Sequence, residues 1–566
     1  MKAPPRLLAY GCLLILLGAL IAHITQTSGG TIVKDIRFSG SGGTTLSALL
    51  YIPSSATAES RAPGILAVHG YINSREAQSG FAIEFARRGY VVLALDQSGH
   101  GYSDPPAFAN GFGGPHALAY LRSLDIVDTD NIGLEGHSMG GWAVLAAAAA
   151  LPDGYRAMVL EGSSTGAPFA AEGTPTWPRN VAVVFSRFDE FAQTMWAVPD
   201  AQDVSDSAKL QTLFGTKTRI EPGRIYGEIE TGSARILYDP PVTHPGDHLS
   251  RGAIGHAIDW FARTLQGGNG LPSHDQIWPA KELGTLIALI GFVVLLLGGF
   301  QSLLGTPRFR SLYTPQLSGA FERRNARWWT LAVASAAIPV ATFYPLFALG
   351  ESLLPPSRWL PQGITNQIML WALGNGLIAA LLGFSGRAKG THQPAFRLEY
   401  LKISLATIGI GYTAVLLVGF FLQVDLRFWF VGLKALSPLQ FEMALIYVVP
   451  FILYFVLALR GLHTGLSVAG DGPLRAYVSN GLILTGGFIA FLMAQYTSLF
   501  ATGALLTPDE PLNTIVMIQF VPLLLIVSII STFTFRRTGR ALPGALICAL
   551  FVTWYIVAGQ ATQSAV

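Results

Sequence analysis

From about residue 283 to residue 560 the chain alternates apolar runs of membrane-spanning length with short polar loops. A run of about 20 apolar residues crosses the hydrocarbon core of a bilayer as a helix. Only helices and closed barrels satisfy their own backbone in lipid. Eight such runs are expected as helices, at 283–304, 328–350, 364–384, 401–423, 439–459, 476–502, 513–535 and 541–560. A ninth, 7–25, stands near the start. Charged residues make up 13% of the chain, about half the usual share, too few to cover a wholly soluble surface. A net charge of +3 offers no footprint for nucleic acid.

Charge in the loops orients the runs. Lys2 and Arg6 precede the first. Arg308, Arg310, Arg323, Arg324 and Arg327 follow the second, and Arg387, Lys389, Arg397 and Lys402 follow the fourth. Arg460 and Arg475 flank the next inner loop, and Arg536, Arg537 and Arg540 separate the last two runs. The alternate loops carry few bases. By the positive-inside rule this pattern fits nine spans with the N-terminus in the cytoplasm of a plasma (bacterial inner) membrane. The polar stretch after the first run, and the tail from Gln560, then face outward. No small-x-small cleavage site precedes Ser28, so the first run is expected as a retained anchor.

The expected units are an anchor at 1–28, an extracytoplasmic domain at 30–270 and a helical membrane domain of about eight helices at 280–562. Between residues 30 and 275 short apolar runs alternate with helical spacing. Strands are expected at Thr31–Phe38, Thr45–Tyr51, Ile65–Val68, Tyr90–Leu95, Asn131–Leu134, near Leu160, at Asn180–Phe185 and at Ala234–Tyr238. Helices are expected over 75–88, 115–124 and the Ala-rich stretch up to Leu151. Alternating strands and helices imply a doubly wound, mostly parallel sheet with helices on both faces.

The most informative segment is Gly136-His137-Ser138-Met139-Gly140, a G-x-S-x-G between a strand and a helix. A serine in a strained strand-to-helix turn needs neighbours without bulk, which Gly136 and Gly140 supply. The helix starting near Met139 directs its N-terminal amides at a developing oxyanion. Two further strand ends stand in register, His69-Gly70-Tyr71 and Asp96 through Ser103. Together these resemble the α/β-hydrolase superfamily, over about residues 31–266. The stretch Ala119–Asp125 through Gly141 looks closest to its dienelactone-hydrolase and S9-peptidase-like branch.

The resemblance implies a serine nucleophile, Ser138, and an oxyanion hole built from the backbone N–H groups of Tyr71 and Met139. The acid of such a triad follows a later strand, which selects Asp189 after Asn180–Phe185, with Glu190 as the alternative; a helix N-cap before Phe191 is the structural role open to Asp189. The histidine follows the last strand, where His244 is preferred by its distance to the final helix and His248 is the alternative. Asp247 lies between them. His69 and His100 read as structural strand-end histidines and His137 as a packing residue. The implied chemistry is acyl transfer to Ser138 and then to water, with no metal and no organic cofactor. Cys12 and Cys548 sit in apolar runs and form no disulfide framework.

The interval 163–180 is too short for a large cap. The insertion 191–233 carries Phe191, Met195, Trp196, Leu210 and Phe214, which line an acyl pocket, lie against the membrane domain or simply pack. In the membrane domain the polar residues are mainly amides, Asn366, Asn375, Asn480, Gln495 and Gln519, with Glu442 at a span edge and no acid–base series for a proton path. Residues 425–436 read as an interfacial amphipathic helix. The leading expectation is a membrane-embedded serine hydrolase, esterase- or lipase-like, with peptidase and thioesterase chemistry open to the same triad. Its partners are a small-molecule or lipid-like acyl substrate and membrane lipids, with no nucleic acid. A transporter or sensor with a hydrolase-derived outer domain, or an acyltransferase, are the alternatives.

Overall fold

The computed structural model describes residues 6–314, 319–384 and 397–564. The expected basic residues Lys2, Arg387 and Lys389 lie outside the described residues, as does the end of the C-terminal tail.

Eight strands form one mixed sheet: β1 (Ile32–Ser39), β2 (Thr45–Ile52), β3 (Ala62–Val68), β4 (Val91–Asp96), β5 (Val127–His137), β6 (Ala157–Glu161), β7 (Val181–Val184) and β8 (Arg235–Tyr238). Their order is β1-β2-β4-β3-β5-β6-β7-β8. β2 is antiparallel to both β1 and β4, and all pairings from β4 to β8 are parallel. The strands fall where the apolar runs placed them. β3, β4, β6, β7 and β8 are buried on both faces, as strands covered by helices on two sides must be, whereas the edge strand β1 is largely exposed.

Side-chain alternation divides the core in two. Leu66 and Val68 on β3 face one cluster, with α3 (Gly114–Ser123) and α4 (Met139–Ala150). Ile65 and Ala67 face the other, with α2 (Ser79–Arg87) and α7 (Arg251–Thr264). α1 (Arg6–Gln26) precedes the sheet. The insertion after β7 holds α5 (Ala192–Trp196) and α6 (Ala208–Phe214). Its Met195, Trp196, Leu210 and Phe214 are buried in the first cluster, so packing is their role.

The second half is helical: α8 (Trp278–Leu304), α9 (Ala326–Ala341), α10 (Phe343–Leu353), α11 (Gly363–Phe384), α12 (Leu398–Leu422), α13 (Pro438–Arg460), α14 (Pro473–Thr502), α15 (Pro511–Thr538) and α16 (Leu542–Gly559). Among the described residues eight helices, α1 included, are long and apolar enough to cross a membrane. The run expected at 328–350 is instead a pair, α9 and α10, bent by 44°; counted as one span it brings the number to nine. Pro345 stands three residues after the break at Thr342; its missing N–H and ring bulk fall on the Ala341 carbonyl one turn earlier, where α9 ends. α1 lies tightly along α8: a Cβ on Gly18 would stand 2.4 Å from the Gly284 carbonyl oxygen, the close backbone approach that small residues allow. The amides find partners inside the bundle. Asn366 donates to the carbonyls of Leu354 and Leu360, and Gln495 Nε2 donates to the hydroxyls of Tyr344 and Thr507.

Residues 425–436 are not a helix. Two short strands, β9 (Leu426–Phe428) and β10 (Val431–Leu433), make a hairpin with Trp429 at φ 54° in its turn. The alternate charges that suggested an amphipathic face are buried in ion pairs instead. Arg427 Nε bonds Asp425 at 2.7 Å, and Lys434 Nζ lies 3.3 Å from Glu76 of the sheet domain.

The two regions are joined by bonds as well as by chain. Glu84 on α2 is fully buried; it accepts from Arg87 and Arg88 at 2.9 Å each and from the backbone N–H groups of Ile277 and Trp278 at the start of α8. Beyond α16, Thr562 exchanges backbone bonds with Gly99 and Ala107, both at 2.8 Å. Losing one partner of a buried ion pair costs about 3–5 kcal/mol. Glu84→Ala should therefore lower the melting temperature of the purified chain by many degrees, and an unchanged melting curve would refute this role for Glu84.

Candidate active site

β5 runs straight into Ser138, which is held at φ 55°, ψ −122° before α4 begins at Met139. A non-glycine residue at positive φ is strained, and the glycines around it explain how the turn persists. A Cβ on Gly136 would lie 2.3 Å from the Gly140 carbonyl oxygen, and one on Gly140 would lie 2.1 Å from that of Val68. The turn after β3 comes equally close, since a Cβ on Gly70 would stand 3.1 Å from the Ser138 Cβ. The Gly70–Tyr71 turn and the start of α4 thus flank the serine, where the sequence placed the two amides of an oxyanion hole.

The loops after β7 and β8 bring Asp189 and His244 together. His244 Nδ1–H donates to Asp189 Oδ2 at 2.8 Å. Asp189 Oδ1 accepts the Phe191 N–H at 2.8 Å, so the carboxylate also fills the turn-capping role that Asp at this position suggested. Glu190 is not the partner of the imidazole. It accepts the backbone N–H of His244 at 2.8 Å on one oxygen and the Tyr496 hydroxyl of α14 at 2.8 Å on the other. Gly162, at φ 52°, leaves room for the pair: a Cβ there would lie 2.8 Å from His244 Nδ1. That glycine carries no motif and only its tertiary position reveals it.

His248 is placed differently. Its ring packs on His137 at 4.1 Å and edge-on to Phe81 and Phe430, and neither ring nitrogen has a hydrogen-bond partner among the described residues. His137 Nε2 donates to the His244 carbonyl at 3.0 Å, supporting the loop from below. Asp247 accepts the Ser186 hydroxyl at 2.5 Å and does not reach His244. His69 and His100 are structural: His69 Nε2 accepts the Gln97 N–H at 3.1 Å, and His100 Nδ1 bonds the Ser98 carbonyl.

Ser138, Tyr71, His137, His244 and His248 line one small cavity of about 50 Å³. Its far wall is not part of the sheet domain. Phe430 comes from the hairpin, and Leu512, Ile515 and Gln519 come from α15. Trp429 Nε1 donates to the Pro245 carbonyl at 3.1 Å, pinning the hairpin to the histidine loop, and Gln563 donates to the Tyr71 hydroxyl at 2.9 Å. These contacts join residues far apart in sequence, and nothing local in the chain marks them.

Burial dominates the electrostatics. It lowers the His244 pKa to about 4, with Asp247 opposing, and raises the Asp189 carboxyl well above its ordinary range. His244 is therefore neutral at pH 7, the form that accepts a proton. Burial, then Asp189, raises Glu190 to about 8. Among the described residues no group of three or more His, Cys, Asp or Glu side chains is arranged to hold a metal ion.

Two outcomes are expected. The rate of serine labelling by a fluorophosphonate should keep its plateau below pH 6 and fall only as the pH approaches about 4–5, because the base loses its free form below its own depressed pKa. A midpoint at or above 6.5 would contradict the buried, neutral imidazole. Tyr496→Phe removes one bond that holds Glu190 under His244, and a net hydrogen bond is worth about 0.5–1.5 kcal/mol, so labelling should slow by about two- to thirteenfold. Equal rates would remove Tyr496 from the site.

Comparison with known proteins agrees with this architecture. The family described as alpha/beta hydrolase fold matches residues 63–210. Over 88 residues the chain is 35% identical to a 2-hydroxy-6-oxononadienedioate/2-hydroxy-6-oxononatrienedioate hydrolase of Cupriavidus pinatubonensis, covering 16% of this chain and 30% of that protein. Similar solved structures include a hypothetical protein from Pseudomonas aeruginosa, 29% identical over 24% of this chain and 43% of that one, with a TM-score of 0.22. Another is an esterase from Pyrococcus furiosus, 14% identical over 42% of this chain and 92% of that one, with a TM-score of 0.31. The N-terminal part of the chain has the α/β-hydrolase fold, and the family match ends before the helical region begins.

Proposed function

We propose that the chain is a membrane-embedded serine hydrolase whose site faces the extracytoplasmic side and acts on esters or related acyl bonds. The observation that carries this reading is the His244–Asp189 bond at 2.8 Å, in a cavity shared with a serine at the strained tip of a strand-to-helix turn. In this mechanism His244 takes the proton of Ser138 as its oxygen attacks the acyl carbon. The tetrahedral oxyanion is held by the N–H groups of Tyr71 and Met139, and its collapse expels the alcohol with the proton from His244. Water, deprotonated by the same imidazole, then releases the acid. Asp189 orients His244 and offsets the charge of the imidazolium.

The far wall of the cavity supports an amphiphilic substrate. Phe430, Leu512 and Ile515 present apolar surface opposite Ser138, and they belong to the region whose helices have membrane-spanning length. The resemblance to the dienelactone-hydrolase and S9-peptidase-like branch, carried by residues 119–141, leaves ester cleavage as the leading chemistry.

Fluorophosphonate labelling of intact cells tests the proposal, with Ser138→Ala as control. Wild type should label without permeabilisation and Ser138→Ala should not. His244→Ala should lose about 1,000-fold or more in rate, the scale on which triad members act. His248→Ala should stay within about tenfold of wild type, as a neighbour without a role in proton transfer. Failure of folded, solubilised wild type to label would overturn the enzyme, and labelling only after permeabilisation would overturn the sidedness.

A further inference from the structure

The catalytic cavity is small. A groove of about 640 Å³ opens elsewhere, in the seam between the sheet domain and the ends of α12 and α13. That volume lies within the range of about 300–1,000 Å³ in which small ligands bind. No lining residue is shared with the cavity around Ser138.

Its two sides differ in kind. One wall is apolar: Val415, Leu416, Gly419 and Phe420 from the last turns of α12, and Leu439 and Met443 from the first turns of α13. This wall is open, with Leu416 43% and Phe420 73% exposed. A Cβ on Gly419 would meet nothing within 4 Å. α12 ends at Leu422 and α13 starts at Pro438, so the wall occupies the helix ends nearest the sheet domain. At 1.5 Å per residue it reaches about 10 Å down from them, the depth of a headgroup and the upper part of an acyl chain.

The floor is charged, with both signs present. Arg75, Glu76 and Lys434 are buried and satisfied by one another and by Asp35. They hold the Tyr102 ring, which lies 4.5 Å from Lys434 Nζ and 5.1 Å from the Arg37 guanidinium. Arg37 and Asp35, ion-paired to each other at the mouth of the groove, keep 39% and 30% of their side chains exposed, so each still has open directions for a further partner, and Asp104 stands on the same floor. In all, three cations and four carboxylates line the groove: Arg37, Arg75 and Lys434 against Asp35, Glu76, Asp104 and Asp425. A purely anionic headgroup meets a surplus of carboxylates. A headgroup carrying both a phosphate and an ammonium finds a partner for each.

We propose that this groove holds one zwitterionic glycerophospholipid, with its phosphate at Arg37, its ammonium at Asp35 and Asp104, and an acyl chain along the α12–α13 wall. The inference rests on the membrane reading above but not on the catalytic one. Retention of the chain in carbonate-washed membranes tests that membrane reading separately, before any lipid is added.

The test is native mass spectrometry of the detergent-solubilised full chain with palmitoyl-oleoyl phosphatidylethanolamine or phosphatidylglycerol. Wild type should retain one phosphatidylethanolamine. Gly419→Leu, whose Cβ would meet nothing within 4 Å and whose side chain narrows the groove, and Arg37→Gln should each lower retention by about fivefold or more, a loss of about 1 kcal/mol. An unchanged melting curve in both variants reports that they are folded. Undiminished retention in Gly419→Leu, or equal retention of phosphatidylglycerol by wild type, would overturn the assignment. A phosphatidylethanolamine with a diazirine in its chain should crosslink wild type within residues 415–420 or 438–443. Crosslinks spread over the other helices would overturn it without any variant.

Discussion

The buried guanidinium of Arg75 is the tie on which the two halves depend. It bonds Asp35 on β1 at 2.6 Å, Ser47 Oγ and the Ala48 carbonyl on β2 at 2.7 and 2.9 Å, and its own backbone N–H donates to Asp96 at the end of β4 at 2.8 Å. Its neighbour Glu76 takes Lys434 from beyond the hairpin. Burial disfavours the charge on Arg75, yet Asp96 and Glu76 outweigh it and raise its pKa; Lys434 and Arg75 likewise hold Glu76 well below the ordinary range despite burial. Charges taken from water in this way must be paired on every side. The pairing therefore fixes the turn after β3, the end of β4 and the helical region relative to one another.

That docking decides what kind of site the sheet domain carries. In a doubly wound sheet the functional loops lie at the C-terminal ends of the strands. Here those loops meet a wall of apolar helix and hairpin, so the serine, the imidazole and the carboxylate are removed from bulk water. The same removal explains the depressed basicity of His244 and the raised Asp189 and Glu190, since burial penalises whichever form is charged. It also explains why Glu190, adjacent to the acid, is bound by a tyrosine from α14: a buried carboxyl group needs donors, and the Tyr496 hydroxyl adds to the His244 amide supplied by the sheet domain.

Much of this was legible from residue order. Strand positions followed from apolar runs bounded by turn residues, because a strand covered on both faces has no polar side to interrupt it. Ser138 was legible because a strained turn leaves a short-range mark, two glycines at fixed spacing. The histidine was legible only as a preference for His244 over His248. His244 and His248 are four residues apart in one loop, and what separates them is which ring reaches Asp189, a matter of how β7 and β8 pair. The hairpin at Leu426–Leu433 was misread as a helix because its charges sit at spacings that suit an amphipathic face. Buried ion pairs, which no local pattern announces, decided for strands.

The sequence alone determined the two-part organisation, the positions of the strands, the strained turn at Ser138 and the apolar runs that become long helices, because each is written in periodicity or short-range sterics. The tertiary structure decided the partner of Asp189, the second role of Glu190, the bend between α9 and α10, and the fact that helices far along the chain close over the serine. These depend on burial and on contacts between residues hundreds of positions apart. Such contacts carry free energy only once the fold has excluded water from between them.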